Sequence, residues 1–189
     1  MRKLLFVGMA AAFASVAFGQ ELLTNGGFET GDLTGWTVVH AGGFSGVRNQ
    51  FAHSGTFEAY FGATSAGDAE DFYQDVATTA GTSYHVSFWA FDQDPQATTE
   101  NLLVTFGTNT VFNGIPQRGT TSTANWAQYS GDFVATSGST RLEINGWEQS
   151  WYINADDFSV TANAVPEPAS MAVLGLGALA LIRRRRAKK

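Results

Sequence analysis

The chain contains no cysteine, so no disulfide can staple it. Its stability must come from packing, or from packing and a bound metal. Lysine is missing between Lys3 and Lys188, a stretch in which only Arg48, Arg118 and Arg141 are basic. Sixteen acids from Glu21 to Asp157 oppose those three arginines, which leaves residues 20–162 with a formal charge of −13. Phosphate neutralisation dominates nucleic-acid binding, so this balance excludes nucleic acid as a partner. It draws cations instead and favours solubility. No window of residues 20–162 sustains apolar spacing at i, i+3, i+4 and i+7, which argues against a helical domain.

Catalytic patterns are also scarce. There is no thiol nucleophile, and His40, His53 and His85 lack metal-ligand spacing. Neither a Gly-x-Ser-x-Gly elbow nor a phosphate loop occurs. Glu70-Asp71 and Asp156-Asp157 are paired acids, but successive strand residues face opposite ways. Such neighbours suit a solvated surface or a cation site better than a glycosidase couple. The expectation is that the protein is not an enzyme.

Both ends carry strong signals. Met1-Arg2-Lys3 is basic, Leu4 to Phe18 is apolar, and Ala17-Phe18-Gly19 offers small residues at a cleavage triplet. Ser15-Val16-Ala17 is a second possible site. Residues 1–19 therefore read as a secretory signal peptide, with an uncleaved membrane helix as the alternative. At the other end, Ala162-Asn163-Ala164 is a short linker into Val165, Pro166, Glu167 and Pro168. An apolar run from Ala169 to Ile182 follows, then Arg183, Arg184, Arg185, Arg186 and two lysines. The prolines prevent regular pairing, the run partitions into hydrocarbon, and the arginines resist translocation as a stop-transfer block. The run is 14 residues and rich in Gly and Ala, whereas an untilted span takes about 20. It spans with help from the Val-Pro-Glu-Pro side, or it is held only until processing.

Residues 163–189 resemble the PEP-CTERM sorting signal of bacterial exported proteins, with motif, apolar segment and basic cluster in order. The resemblance implies recognition by an exosortase, cleavage near the motif, and a surface or extracellular-matrix destination often linked to exopolysaccharide. An ordinary C-terminal membrane anchor is the alternative.

Residues 20–162 read as strands and turns. Short aromatic and β-branched runs are broken by Gly, Asn, Thr and Ser. Tyr84 to Phe91 is the clearest strand, with Tyr84, Val86, Phe88 and Ala90 on one side and His85, Ser87, Trp89 and Phe91 on the other. Leu102 to Phe106, Trp126 to Ala135, Arg141 to Trp147 and Tyr152 to Val160 are further strands. The fold class is all-β, a two-sheet jelly-roll β-sandwich between a signal peptide and a short transmembrane helix.

The sandwich resembles the galactose-binding-like jelly rolls found among carbohydrate-binding modules. The carrying residues are Leu22 to Glu29 with Gly35-Trp36, His53-Ser54-Gly55, Phe72 to Val76 leading through Gly81 to Tyr84, Trp126 with Tyr129 and Phe133, and Asp156 to Val160. The resemblance implies a structural calcium where the first and last strands meet, with Glu29, Asp156 and Asp157 as carboxylate ligands and carbonyls near Ser54-Gly55 completing the shell. Hard oxygen donors suit that ion. Asp156 shares strand parity with Phe158 and Val160, so it is expected on the buried side, where a lone carboxylate needs a cation.

A sugar site needs exposed rings to stack on pyranose faces and polar groups for hydroxyls. Arg141, Glu143, Asn145 and Trp147 share one strand face, and Trp151 lies just beyond. Trp89 joins them if its strand is a neighbour. Trp36 and Trp126 are expected in the core. The leading function is therefore an exported, non-catalytic sandwich that binds carbohydrate or associates with exopolysaccharide. A purely structural matrix protein is the second reading and a small glycoside hydrolase the third.

Overall fold

The computed structural model describes residues 19–39, 44–96 and 98–163. The expected signal segment up to Phe18, the Pro-Glu-Pro tail with its apolar run and arginines, and His40 lie outside the described residues. Among the described residues, no helix is long and apolar enough to cross a membrane.

Gly19–Asn163 forms one compact unit built of two five-stranded antiparallel sheets. The strands are β1 (Thr37–Val39), β2 (Gly46–Arg48), β3 (Glu58–Phe61), β4 (Glu70–Ala77), β5 (Ser83–Asp92), β6 (Asn101–Phe106), β7 (Asn109–Gly114), β8 (Ala127–Val134), β9 (Ser139–Trp147) and β10 (Ile153–Ala162). One sheet has the order β1-β4-β9-β6-β7, and the other β2-β3-β10-β5-β8. This is the two-sheet jelly-roll sandwich expected from the alternating sequence.

Period-two burial explains why these segments are strands. On β6 and β9 every second residue is buried, and the buried apolar side chains are Leu102, Val104, Phe106, Leu142 and Ile144. From the facing sheet come Phe61, Tyr84, Val86, Phe88, Ala90, Ile153, Phe158 and Val160. Each fully buried large apolar side chain contributes about 1.5–3 kcal/mol. Tyr84, Val86, Phe88 and Ala90 face the core together, as their alternation requires.

Aromatic rings form a continuous file through that core. Phe158 lies parallel to Phe88 at 5.0 Å and meets Phe28 and Trp36 edge-on at 6.1 and 5.8 Å. Phe88 in turn stacks on Tyr129, which touches Phe112 at 4.2 Å. Trp36 is core, as expected, whereas Trp126 is only half-buried, donating from Nε1 to the Phe51 carbonyl.

The Asn25 side chain shapes the segment leading into Trp36. It donates to Thr30 Oγ1 and to the carbonyls of Asp32 and Thr34, and it accepts from the Thr30 N–H. The Asn25 carbonyl takes the Trp36 indole N–H at 3.0 Å. Gln74 of β4 pins this segment by exchanging two hydrogen bonds with the Thr24 backbone.

The two ends of the unit lie together. Glu21 bridges to Thr161, and the Leu22 N–H bonds the Val160 carbonyl. They sit at the finish of β10, whose start, Ile153, follows the β9–β10 loop at the other end.

A bulge corrects one expectation. Asp156 pairs with Trp89 but Ser159 pairs with Ser87, so β10 carries an extra residue there. Asp157 takes φ of 51° at this point. The bulge reverses side-chain parity. Ala155 faces the core before it and Phe158 after it, so Asp156 lies on the outer side of the sheet with Trp89. Asp156 is nevertheless fully buried, because the loop carrying His53 and Ser54 covers it.

Candidate functional site

The outward face of the first sheet presents a polar and aromatic field. On β9, Arg141, Glu143, Asn145 and Trp147 alternate with buried Leu142 and Ile144. Register sets Glu143 between Tyr73 and Thr105, Asn145 between Asp71 and Leu103, and Trp147 beside Asn101. Arg141 grips Asp75 through Nε and a terminal nitrogen at 2.9 and 3.1 Å. Its guanidinium also lies 3.6 Å from the centre of the Tyr73 ring. The Arg141 hydrogen bond holds the Asp75 carboxyl below the usual carboxylate range. Asn145 donates to Asp71 Oδ1 at 2.5 Å. Tyr73 and Asp71 were legible only by extending strand parity from Phe72 into β4.

Trp151 lies in the β9–β10 loop, where it lines a cleft of about 450 Å³ with Phe44, Thr64, Glu148, Gln149 and Tyr152. Phe44 and Trp151 are 45% and 49% exposed, which makes this cleft the place where two open rings share one concavity. Gln149 ties the loop to the Thr64 carbonyl, and Ala63 N–H bonds the Glu148 carbonyl. A side chain at Gly62 would meet the Tyr152 ring at 2.9 Å, so a glycine is needed in the cleft wall. Phe44 carried no signal in the sequence beyond being an aromatic residue among glycines.

Trp89 does not join this constellation. It sits on β5 of the second sheet, while Arg141, Asn145 and Trp147 sit on β9 of the first. Its ring is half-buried and stacked at 4.0 Å on His53, so one face is already occupied. Strand order is a long-range property that alternation cannot supply.

Glu29, Asp156 and Asp157 gather around Gly27. A Cβ placed there would lie 3.3 Å from Asp157 Oδ1, 3.8 Å from Asp156 Oδ1 and 3.9 Å from Glu29 Cγ. Each carboxylate holds hydrogen bonds. Glu29 accepts from the Thr56 and Phe57 N–H groups, and Asp156 from those of His53, Ser54 and Asp157. Asp157 accepts from Ser54 Oγ and meets His53 Nδ1 at 2.6 Å. Gly55 passes so close to the Glu29 carboxylate that a Cβ would lie 2.4 Å from its carbon. All three offer hard oxygen, the donor class that calcium takes.

Of the buried carboxyls that burial raises, Asp156 and Asp92 are displaced furthest. Burial pushes Asp156 up to about 7, with Asp157 adding to the effect. Burial pushes Asp92 to about 7 as well, with Glu148, Glu100 and Asp94 reinforcing it. Between pH about 4 and 7 the folded protein keeps two protons that the unfolded chain has released. In metal-free buffer, stability is therefore expected to fall across that window as pH rises and to level off above it. Urea midpoints followed from pH ~4 to ~8 check this. A midpoint that climbs through the window would contradict it.

Comparison with known proteins decides the family. Residues 20–152 match the model of the carbohydrate binding domain. The chain belongs to that family. Residues 164–186 of this carbohydrate-binding-domain protein match the PEP-CTERM protein-sorting motif, which indicates export to a surface or extracellular destination. No curated protein matches it by sequence. Solved structures share its fold. TmCBM61 in complex with β-1,4-galactotriose aligns with a TM-score of 0.60 at 18% identity, covering 76% of this chain and 99% of that one. The CBM22-1 xylan-binding domain of Paenibacillus barcinonensis Xyn10C gives 0.52 at 18%, covering 78% and 97%. The K3 cleaved adhesin domain of Lys-gingipain from Porphyromonas gingivalis gives 0.54 at 15%, covering 77% and 98%.

Proposed function

We propose that this carbohydrate-binding-domain protein is exported to the cell surface or extracellular matrix and there holds polysaccharide without cleaving it. The observation that carries this reading is the open face of the first sheet, where Tyr73, Arg141, Asn145 and Trp147 are arrayed with their polar partners already oriented. Rings stack on the apolar faces of sugars, and paired amides and carboxylates match hydroxyls. Trp151 in the adjoining loop supplies a further ring. Relatives of the same fold bind a galactotriose and a xylan, which supports an extended polysaccharide as the ligand class.

In this reading, the secretory signal directs export, an exosortase acts at Val165-Pro166-Glu167-Pro168, and the apolar run stopped by Arg183 to Arg186 holds the chain in the membrane until then. Calcium is bound among Glu29, Asp156 and Asp157. It would tie the first segment to the last strand.

Binding of the purified protein to a panel of soluble and insoluble polysaccharides tests the proposal. Trp147→Ala and Trp151→Ala are each expected to weaken retention at least about tenfold, equivalent to about 1.4 kcal/mol. Trp89→Phe is expected to bind like the parent. If both alanine variants bind unchanged, the site lies elsewhere. A parent protein that binds no polysaccharide supports the structural-protein reading. Release of reducing ends would mark a hydrolase.

A further inference from the structure

A second acidic centre lies apart from Glu29, Asp156 and Asp157 and shares no residue with them. Asp94 follows β5, Glu100 precedes β6, and Glu148 follows β9. One carboxylate oxygen from each lies within 4.8 Å of the others. Glu100 and Glu148 are buried, at 9% and 1% exposure.

Asp92 supplies the independent observation. It is fully buried. Its Oδ1 accepts the Asp94 N–H at 2.7 Å, so the carboxyl is tied to a member of the cluster. Its Oδ2 is also buried and has no hydrogen-bond partner. Asp94, Glu100 and Glu148 all act on it electrostatically. An unpaired buried carboxylate oxygen is costly, and neighbouring like charges add to that cost. Among the described residues, the Arg118 guanidinium acts on Glu100, and a single positive charge is less than four carboxylates require.

From this geometry we propose that Asp92, Asp94, Glu100 and Glu148 form a divalent-cation site of the calcium class. The donors are all oxygens, with no imidazole or thiolate in the cluster, which selects a hard ion over a transition metal. The donors come from three separate segments, so their spacing can adjust to the loose, many-oxygen shell of calcium more readily than to the strict octahedron of magnesium.

The site has a structural consequence for the cleft. Glu148 also accepts the N–H groups of Ser150 and Trp151, the latter through a short bond. A cation held by Glu148 fixes the loop that presents Trp151. That consequence rests on the cleft taking part in glycan binding, whereas the metal site does not.

Calorimetric titration of calcium chloride into the chelator-stripped full chain, without glycan, tests the site. Asp94→Asn and Glu148→Gln are expected to lose one calcium equivalent, or to weaken it at least tenfold, while Asp157→Asn leaves that equivalent in place. Near-ultraviolet circular dichroism establishes that each variant is folded, and Asp94→Asn, at a half-exposed position, serves if Glu148→Gln is not. Folded Asp94→Asn that takes up calcium with parental stoichiometry and affinity overturns the proposal. So does a parent that takes up none, or takes up one equivalent that Asp157→Asn abolishes. Loss of polysaccharide binding with calcium uptake intact would instead count against the glycan reading alone.

Discussion

Arg48→Ala is expected to destabilise the domain by about 3–5 kcal/mol, because it strands a buried carboxylate. Arg48 and Glu58 are cross-strand partners on β2 and β3. The guanidinium Nε donates to Glu58 Oε1 at 3.2 Å, and a terminal nitrogen donates to Asn154 Oδ1 of β10 at 2.6 Å. The rings of Tyr60 and Tyr152 each lie 4.7 Å from the guanidinium carbon. Glu58 has no exposed surface, and burial raises its carboxyl above the usual range despite Arg48 and the Phe51 N–H. Its Oε2 has no hydrogen-bond partner even with Arg48 present. Removing the arginine leaves the buried acid only the backbone N–H groups of Phe51 and Gln50, with no positive charge to offset it. At the entropy of unfolding usual for this size, the melting temperature should drop by roughly 10–20 °C. Arg48→Lys should recover only part of the loss, since an ammonium cannot bond both partners and lie between two rings. Pairing Arg48→Met with Glu58→Gln should restore more than half. Thermal melts of the three variants decide the matter, and an Arg48→Ala melt within 2–3 °C of the parent, less than about 1 kcal/mol, would show that the pair contributes little.

Phe158→Ala should cost a similar amount, about 3–5 kcal/mol, for a different reason. Phe158 is the link at which the N-terminal segment joins the core, stacked on Phe88 and set edge-on to Phe28 and Trp36. Truncation removes the buried ring, opens a cavity and breaks three ring contacts, each worth about 0.5–1.5 kcal/mol beyond area. Because the bulge at Asp157 fixes where this ring points, neighbouring side chains cannot fill the gap without moving that backbone. Phe158→Leu keeps much of the volume and should lose roughly half as much. Urea unfolding followed by tryptophan fluorescence measures both, with Trp36 reporting locally. Equal midpoints for parent and alanine variant would mean that the file of rings is not a cooperative part of the core.

Legibility in the sequence followed the range of the interactions. Tyr84 to Phe91 declared itself a strand, with the correct inward set, because alternation is a local property. Arg141, Asn145 and Trp147 were placed on one face for the same reason. The short strands β1 and β2 carried too few residues for a period to show, and in β7 Asn109 and Asn113 interrupt the apolar run. Trp89 was misplaced because sheet membership depends on which distant strands pair. Asp156 was given the wrong side because one extra residue at the bulge inverts everything after it. The cluster of Asp94, Glu100 and Glu148 was invisible since three separate segments assemble it.

The bridge from Glu21 to Thr161 has a mechanical consequence. Entry and exit share one pole of the sandwich. β10 runs from Ile153 to Ala162, roughly 30 Å of extended chain, between that pole and the loop bearing Trp151. The ring-lined cleft and the paired ends of the unit therefore lie at opposite ends of β10, so a polymer seated in the cleft leaves those ends uncovered.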